Sequence, residues 1–343
     1  MTRAAATAAS LVAAFLFAAP LPAQSFRSDL SAGPEFLLFE ANSASEGSFA
    51  ARASGGFLWT ARPGSQLAFA VEPRAGLRVL TFEETTSSEL IADLMATFGS
   101  AGRGRGWRWQ VGIRGKVRDL SDPPELPVYL EPGRGEGWAD AIVAAPVGAG
   151  WMVEARGSAG FVRYTPQEWR VLDRDGALGA LSINHALGPG VARFTFVVGA
   201  EDYTDPLAFG RGDGRWGFRV DWATSETIFL QLEAALAWNT SNIVGFDYRS
   251  HRAALLLSAP LGDASAQVYA GIALKTYKDP GSPDARVAPS DRDTGSFIIV
   301  QATQPLCTTT SLHVRGEWSR SETGFRDQYF QRLGFSALLS FRP

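Results

Sequence analysis

The chain has 343 residues but only one cysteine, Cys307, and three histidines, His185, His251 and His313. A single thiol excludes a disulfide framework and any cysteine-based zinc cluster. Three scattered imidazoles leave little for a histidine metal site, so no metal and no cofactor is expected. Neither sign of charge dominates: 32 Lys and Arg stand against 35 Asp and Glu. That balance carries no basic footprint for nucleic acid. Beyond the N-terminus no run of about 18 uncharged apolar residues occurs, which excludes a transmembrane helix. A helical apolar repeat sustained over about 12 residues is missing as well. The apolar share, 45%, is nevertheless too high for a disordered chain.

What is present begins with a leader. Met1-Thr2-Arg3 is a short positive start, residues 4–20 are apolar, and Leu21-Pro22-Ala23 offers a small-residue cleavage site. This pattern predicts a secretory signal peptide over 1–23 and a mature domain over 24–343. The competing reading, a membrane anchor, needs about 20 spanning residues and the run is shorter.

The mature chain alternates. Trp107, Trp109, Val111 and Ile113 share one parity; Arg108, Gln110, Arg114, Lys116 and Arg118 share the other. The same split recurs around Phe49, Leu67, Trp151, Phe194, Trp216, Ile228 and Leu312. Period two means strands with one apolar and one polar face. Seven short turns alternate with eight longer polar stretches, at 42–48, 83–88, 119–137, 164–167, 202–214, 240–245, 278–293 and 321–327. Together they predict about 16 strands (14–18 being compatible), both chain ends lying on the short-turn side. The segments 138–145 and 173–186 carry the weakest strand pattern. The fold class is therefore all-β. An antiparallel up-and-down transmembrane barrel competes with a soluble sandwich that hides its apolar parity in a dry core. The tryptophans favour the barrel. Trp59, Trp107, Trp109, Trp151 and Trp222 fall near short turns, and Trp138, Trp169, Trp216, Trp238 and Trp318 near long loops. Two belts at opposite strand ends match the girdles of membrane barrels. Only a closed barrel leaves no unpaired sheet edge in lipid.

The last segment carries a family resemblance. In Tyr329-Phe330-Gln331-Arg332-Leu333-Gly334-Phe335-Ser336-Ala337-Leu338-Leu339-Ser340-Phe341-Arg342-Pro343, the residues Leu333, Phe335, Ala337, Leu339 and Phe341 share one parity. This resembles the closing strand of Gram-negative outer-membrane β-barrels of the porin-like type, with Arg342-Pro343 departing from the usual terminal Phe. The resemblance implies an outer-membrane location, contact with outer-membrane lipid, and a channel for small polar solutes. Arg249-Ser250-His251-Arg252 and Tyr277-Lys278-Asp279 are also similar to barrels of polysaccharide-export or surface-assembly systems, which implies the alternative of a barrel plugged by an envelope partner protein. A homo-oligomer would need a small-residue patch on the lipid side, for which Ala51/Ala53 and Gly157/Ala159 are candidates.

With the polar parity turned inward, the expected lumen cations are Arg52, Arg74, Arg78, Arg108, Arg114, Lys116, Arg118, Arg156, Arg193, Arg219, Lys275, Arg315 and Arg332. The expected acids are Glu72, Asp93, Glu154, Glu201, Asp221, Glu233 and Glu317. A positive wall concentrates anions, which predicts a mild anion preference. Cross-strand ion pairs that stiffen the barrel explain the same residues equally well. Most remaining acids are then expected in loops, as with Asp119, Asp122, Glu125, Glu131 and Glu136. In the proline-stiffened 119–137 stretch, Asp119, Asp122, Glu125 and Glu131 would form a constriction against the Arg108/Arg114/Arg118 ladder if the loop folds inward. Over the mouth, they would be surface groups.

Catalysis is not expected. His313 shares its face with Ser311, but neighbours on one strand rarely present nucleophile and base to each other. Gly102-Arg103-Gly104-Arg105-Gly106 lacks the following helix of a phosphate loop. Residues 210–214 carry a single carboxylate for calcium.

Overall fold

The computed structural model describes residues 25–41, 44–62, 67–83, 86–100, 106–121, 133–165, 167–224, 227–279, 295–322 and 329–343. The predicted leader, 1–23, lies outside them. The first eight strands are β1 (Ser25–Ala41), β2 (Ala44–Ala61), β3 (Leu67–Thr81), β4 (Thr86–Ser100), β5 (Arg108–Ser121), β6 (Arg134–Gly148), β7 (Trp151–Tyr164) and β8 (Arg174–Leu187). The second eight are β9 (Gly190–Tyr203), β10 (Gly212–Thr224), β11 (Phe229–Ser241), β12 (Tyr248–Leu261), β13 (Ala264–Tyr277), β14 (Gly295–Pro305), β15 (Thr310–Glu322) and β16 (Tyr329–Phe341). Each pairs antiparallel with its neighbours in sequence, and β1 pairs with β16 to close a ring of 16. The two weak segments are β6 and β8. Several strands run past the predicted loop limits: β2 starts at Ala44, β4 at Thr86, β10 at Gly212, and β5 and β6 consume both ends of the 119–137 stretch. Polar residues there remain paired because the ladder, not the side chain, holds a strand end.

The alternation sorts the two faces. The outer parity exposes its apolar side chains: Ile113 is 57% exposed, Ile272 61% and Phe335 55%. The inner parity holds the ion pairs described below. Where both parities are apolar, the period-two signal fails. On β1 the inner Leu37 and Phe39 are buried with Ala50, Leu80 and Phe82, and Leu120 packs on them at the long-loop end of β1–β5.

Aromatic rings crowd the outer face at both ends. At the short-turn end Trp59 meets Phe69 edge-on at 5.4 Å, Phe98 meets Trp109, and Trp151 stacks on His185 at 4.0 Å. At the long-loop end Trp216 stacks on Trp238 at 4.2 Å. Two expected belt members belong elsewhere. Trp138 shares the inner parity of β6 with Asp140, and the Arg114 guanidinium lies 5.5 Å from its ring. Its indole lies over Gly160 and Gly176 of β7 and β8, which have no side chain to lift it off the wall. Trp169 sits in the 3-10 turn Gln167–Leu172 and stacks on Tyr164.

Four connections at the long-loop end are tied to one another. The Thr204 N–H donates to the Asp173 carbonyl, and Asn242 joins both Gly210 and Gly212. The Lys278 N–H donates to the Asp247 carbonyl. These bonds make a continuous collar above β7–β13.

Candidate functional site

The inner wall of β1–β5 is built around Glu89. Arg78 and Glu89 stand directly opposite in register, and Arg78 Nη1 lies 3.0 Å from Glu89 Oε2. Arg78 Nε also meets Glu35 Oε2 at 2.8 Å, reaching across the inner face of β2. Arg118 closes on the other oxygen of Glu89. Beside this group Arg315 and Arg332 hold Glu317 at 2.6 and 2.9 Å. Arg52 lies in the field of both sets, facing Arg78, Arg315, Glu35 and Glu317.

The remaining wall is paired in smaller units. Asp140 takes Arg156 at 3.0 Å and Arg114 at 3.6 Å. Glu154 pairs with Arg193, Asp221 with Arg219, and Glu233 with Arg252. Arg252 also donates to the Tyr269 hydroxyl, and Tyr269 meets Phe297 at 4.6 Å. Near the mouth Arg211 pairs with Asp213 and lies close to both the Tyr203 and Phe246 rings, while Lys275 lies close to both Tyr248 and Tyr277. Cations over ring faces gain electrostatic attraction from them.

All fifteen predicted wall residues (Arg52, Glu72, Arg74, Arg78, Arg108, Arg114, Lys116, Arg118, Glu154, Arg156, Arg193, Arg219, Glu233, Arg315 and Glu317) fall on the inner parity. Arg74 pairs with Glu72 at 2.8 Å, and Arg108 lies against Met152 Sδ. Arg52 and Lys116 form no ion pair among the described residues.

Two expectations need correction. Acids are not confined to loops: Glu35, Glu89, Glu136 and Asp140 stand on the inner wall, so the positive surplus shrinks and pairing dominates. Asp119 belongs to β5, stands opposite Leu90 on the outer parity and is exposed, so it cannot face the Arg108/Arg114/Arg118 ladder. Asp122, Glu125 and Glu131 lie outside the described residues. His313 meets two hydroxyls, those of Ser340 and Thr303. Nε2 lies 2.9 Å from Ser340 Oγ and Nδ1 2.9 Å from Thr303 Oγ1, so the ring bridges β14 and β16. Among the described residues no group of three metal-ligating side chains occurs, and Asp213 of the 210–214 loop is engaged by Arg211.

Cys307 lies exposed in the short turn between β14 and β15. Hydrogen bonds to its sulfur, from the Thr310 side chain first and then from Thr309, lower its pKa to about 7. Alkylation of this single thiol is expected to follow a pH profile with its midpoint near that value. Thr310→Val shifts the midpoint upward. A midpoint at the ordinary thiol value in the unaltered chain contradicts the turn geometry.

The outer face carries a shallow recess of about 1040 Å³ across β3–β9. Its lining is small, with Ala141, Gly157, Ala159 and Ala177 among it; the Gly157/Ala159 patch is part of it.

No protein-family model matches the chain, and no curated protein is similar to it in sequence. Solved structures are similar in architecture. An anion-selective porin from Comamonas acidovorans has a TM-score of 0.47 at 12% identity, covering 94% of this chain and all (100%) of that one. OccAB4 from Acinetobacter baumannii has a TM-score of 0.46 at 8% identity, covering 94% and 99%. A bacterial polysaccharide outer membrane secretin has a TM-score of 0.46 at 8% identity, covering 92% and 98%.

Proposed function

We propose that the chain is a channel in the outer membrane of a Gram-negative bacterium, delivered there by the 1–23 leader. Small polar solutes pass through it by passive diffusion, with a mild preference for anions. One observation carries this reading: the polarity of the molecule is inverted. Aliphatic and aromatic side chains cover the outer face, while ion pairs and hydroxyls line the enclosed one. In water, each fully exposed Leu, Ile or Phe forgoes about 1.5–3 kcal/mol of burial; in hydrocarbon that penalty vanishes. The closed ladder supports the same reading, because it leaves no sheet edge to desolvate.

The anion preference rests on wall cations that close no ion pair among the described residues, Arg52, Lys116 and Arg108. In a KCl gradient, single-channel currents are expected to reverse at a potential that favours chloride, and Arg52→Gln with Lys116→Gln moves the reversal toward zero. A clear potassium preference in the unaltered chain sinks the reading.

A second reading, the barrel of a larger envelope assembly, is favoured by the loop tips. Phe209 is 85% exposed in a left-handed conformation (φ 54°), with Leu207 and Val244 also bare on adjoining loops. Bulky residues rarely adopt positive φ, and exposed apolar tips suit a protein partner. Co-purification of such a partner in detergent distinguishes the two.

A further inference from the structure

The wall of β2–β5 holds a recess of about 230 Å³ beneath the Arg78–Glu89 pair. Its floor is Gly76, flanked in register by Ser54 of β2 and Ile91 of β4. The inner face of β3 reads Arg74, Gly76, Arg78, so the glycine leaves a gap between two guanidinium groups. A Cβ at Gly76 would meet the Ser54 Cβ at 3.2 Å and raise that floor.

Most charges around the recess are already engaged. Arg78 serves Glu35 and Glu89, and Arg74 serves Glu72 with Asp29 at 3.8 Å. Three are not: Arg52, Lys116 and Asp93 form no ion pair among the described residues. Arg52 stands directly opposite Arg78, a like-charge pairing that Glu35 and Glu317 offset through space without closing an ion pair on Arg52. Asp93 stands opposite Arg74 on one side and Lys116 on the other, and closes on neither. Arg52 and Lys116 are three strand spacings and four residues apart, about 14 Å in each direction. Both nevertheless line the one recess, together with Asp93, so a solute with two charged ends can address both cations where a single small anion addresses one.

The geometry points to a binding site for a small amino dicarboxylate. One carboxylate meets Arg52, the other Lys116, and the ammonium group meets Asp93. The three unengaged side chains sum to one positive charge, and such a solute carries one negative charge. This assignment rests on the channel reading and deepens it by naming a solute that the bore holds during passage.

L-glutamate, glutarate and L-glutamine separate the contributions, since glutarate lacks the ammonium and glutamine lacks one carboxylate. In planar bilayers the full barrel's chloride current is expected to be blocked saturably by glutamate, at concentrations about tenfold lower than by either analogue. Arg52→Gln raises the glutamate concentration for half-block by about tenfold. Asp93→Asn removes the distinction between glutamate and glutarate. The open current of each variant shows that its barrel has formed. Equal block by all three solutes, or tighter block by glutarate than by glutamate, overturns the site and leaves the channel standing. Absence of any chloride current overturns the channel instead. Calorimetric titration of the detergent-solubilised barrel with the same three solutes then decides the site by the same ranking.

Discussion

Glu89→Gln is expected to destabilise the barrel by about 3–5 kcal/mol, the usual result of removing one partner from a buried ion pair. Glu89 is 1% exposed and holds two guanidinium groups, Arg78 on one oxygen and Arg118 on the other. Its loss leaves Arg118 without the acid it closes on, and reduces Arg78 to Glu35. Both cations stay in a narrow wall where water replaces a carboxylate poorly. Urea unfolding in lipid vesicles measures the effect as a lower midpoint at unchanged slope. A companion variant separates broken pairing from lost volume: Glu89→Leu with Arg118→Met removes both charges and is expected to recover most of the stability. A loss below about 1 kcal/mol in Glu89→Gln, the range of exposed ion pairs, shows that the wall is solvated and its pairs interchangeable.

Gly160→Val is expected to have the second large effect. A Cβ there would lie 2.2 Å from the Gly137 carbonyl oxygen and 2.6 Å from Cδ2 of Trp138. The ring cannot rise without leaving the wall, and the carbonyl belongs to the β6–β7 ladder, so the strands must separate. Overpacking of a fitted site costs about 1–3 kcal/mol, and a displaced ladder adds to it. Gly157→Ala, three residues away on the outer parity, meets nothing within 4 Å and is expected to be neutral. Heat-modified gel mobility of the two variants gives the comparison. Equal behaviour shows that Trp138 is free to move and has no fixed seat.

Alternation made the architecture legible. Wherever one parity is apolar and the other charged, as from Arg108 to Arg118, strand, face and direction all follow from the residues. The site was legible on one side only. Arginines such as Arg78 and Arg118 announce themselves within alternating stretches. Their acid partners do not: Glu35 shares its parity with Leu37 and Phe39, and Glu89 stands only three residues into β4, beside a polar loop. The misplaced Trp138 has a related cause. Proximity to a loop says nothing about face, and only the glycines at 160 and 176, two strands' worth of missing side chains, marked where a flat ring would fit. The vacancy around Arg52, Lys116 and Asp93 was invisible for another reason. Directly opposed charges in register are expected to pair, and only side-chain directions show that these do not.

The seam between β1 and β16 has a consequence for how the chain is made. Leu30 lies opposite Phe341, so strands about 300 residues apart in sequence are neighbours in space. The ring cannot close until β16 has been synthesised, so until then the sheet keeps unpaired edges. Because β1 and β16 adjoin, a short tether between these two strands and a cut at another hairpin tip preserves every ladder: circular order matters to this wall, and which hairpin is left open does not.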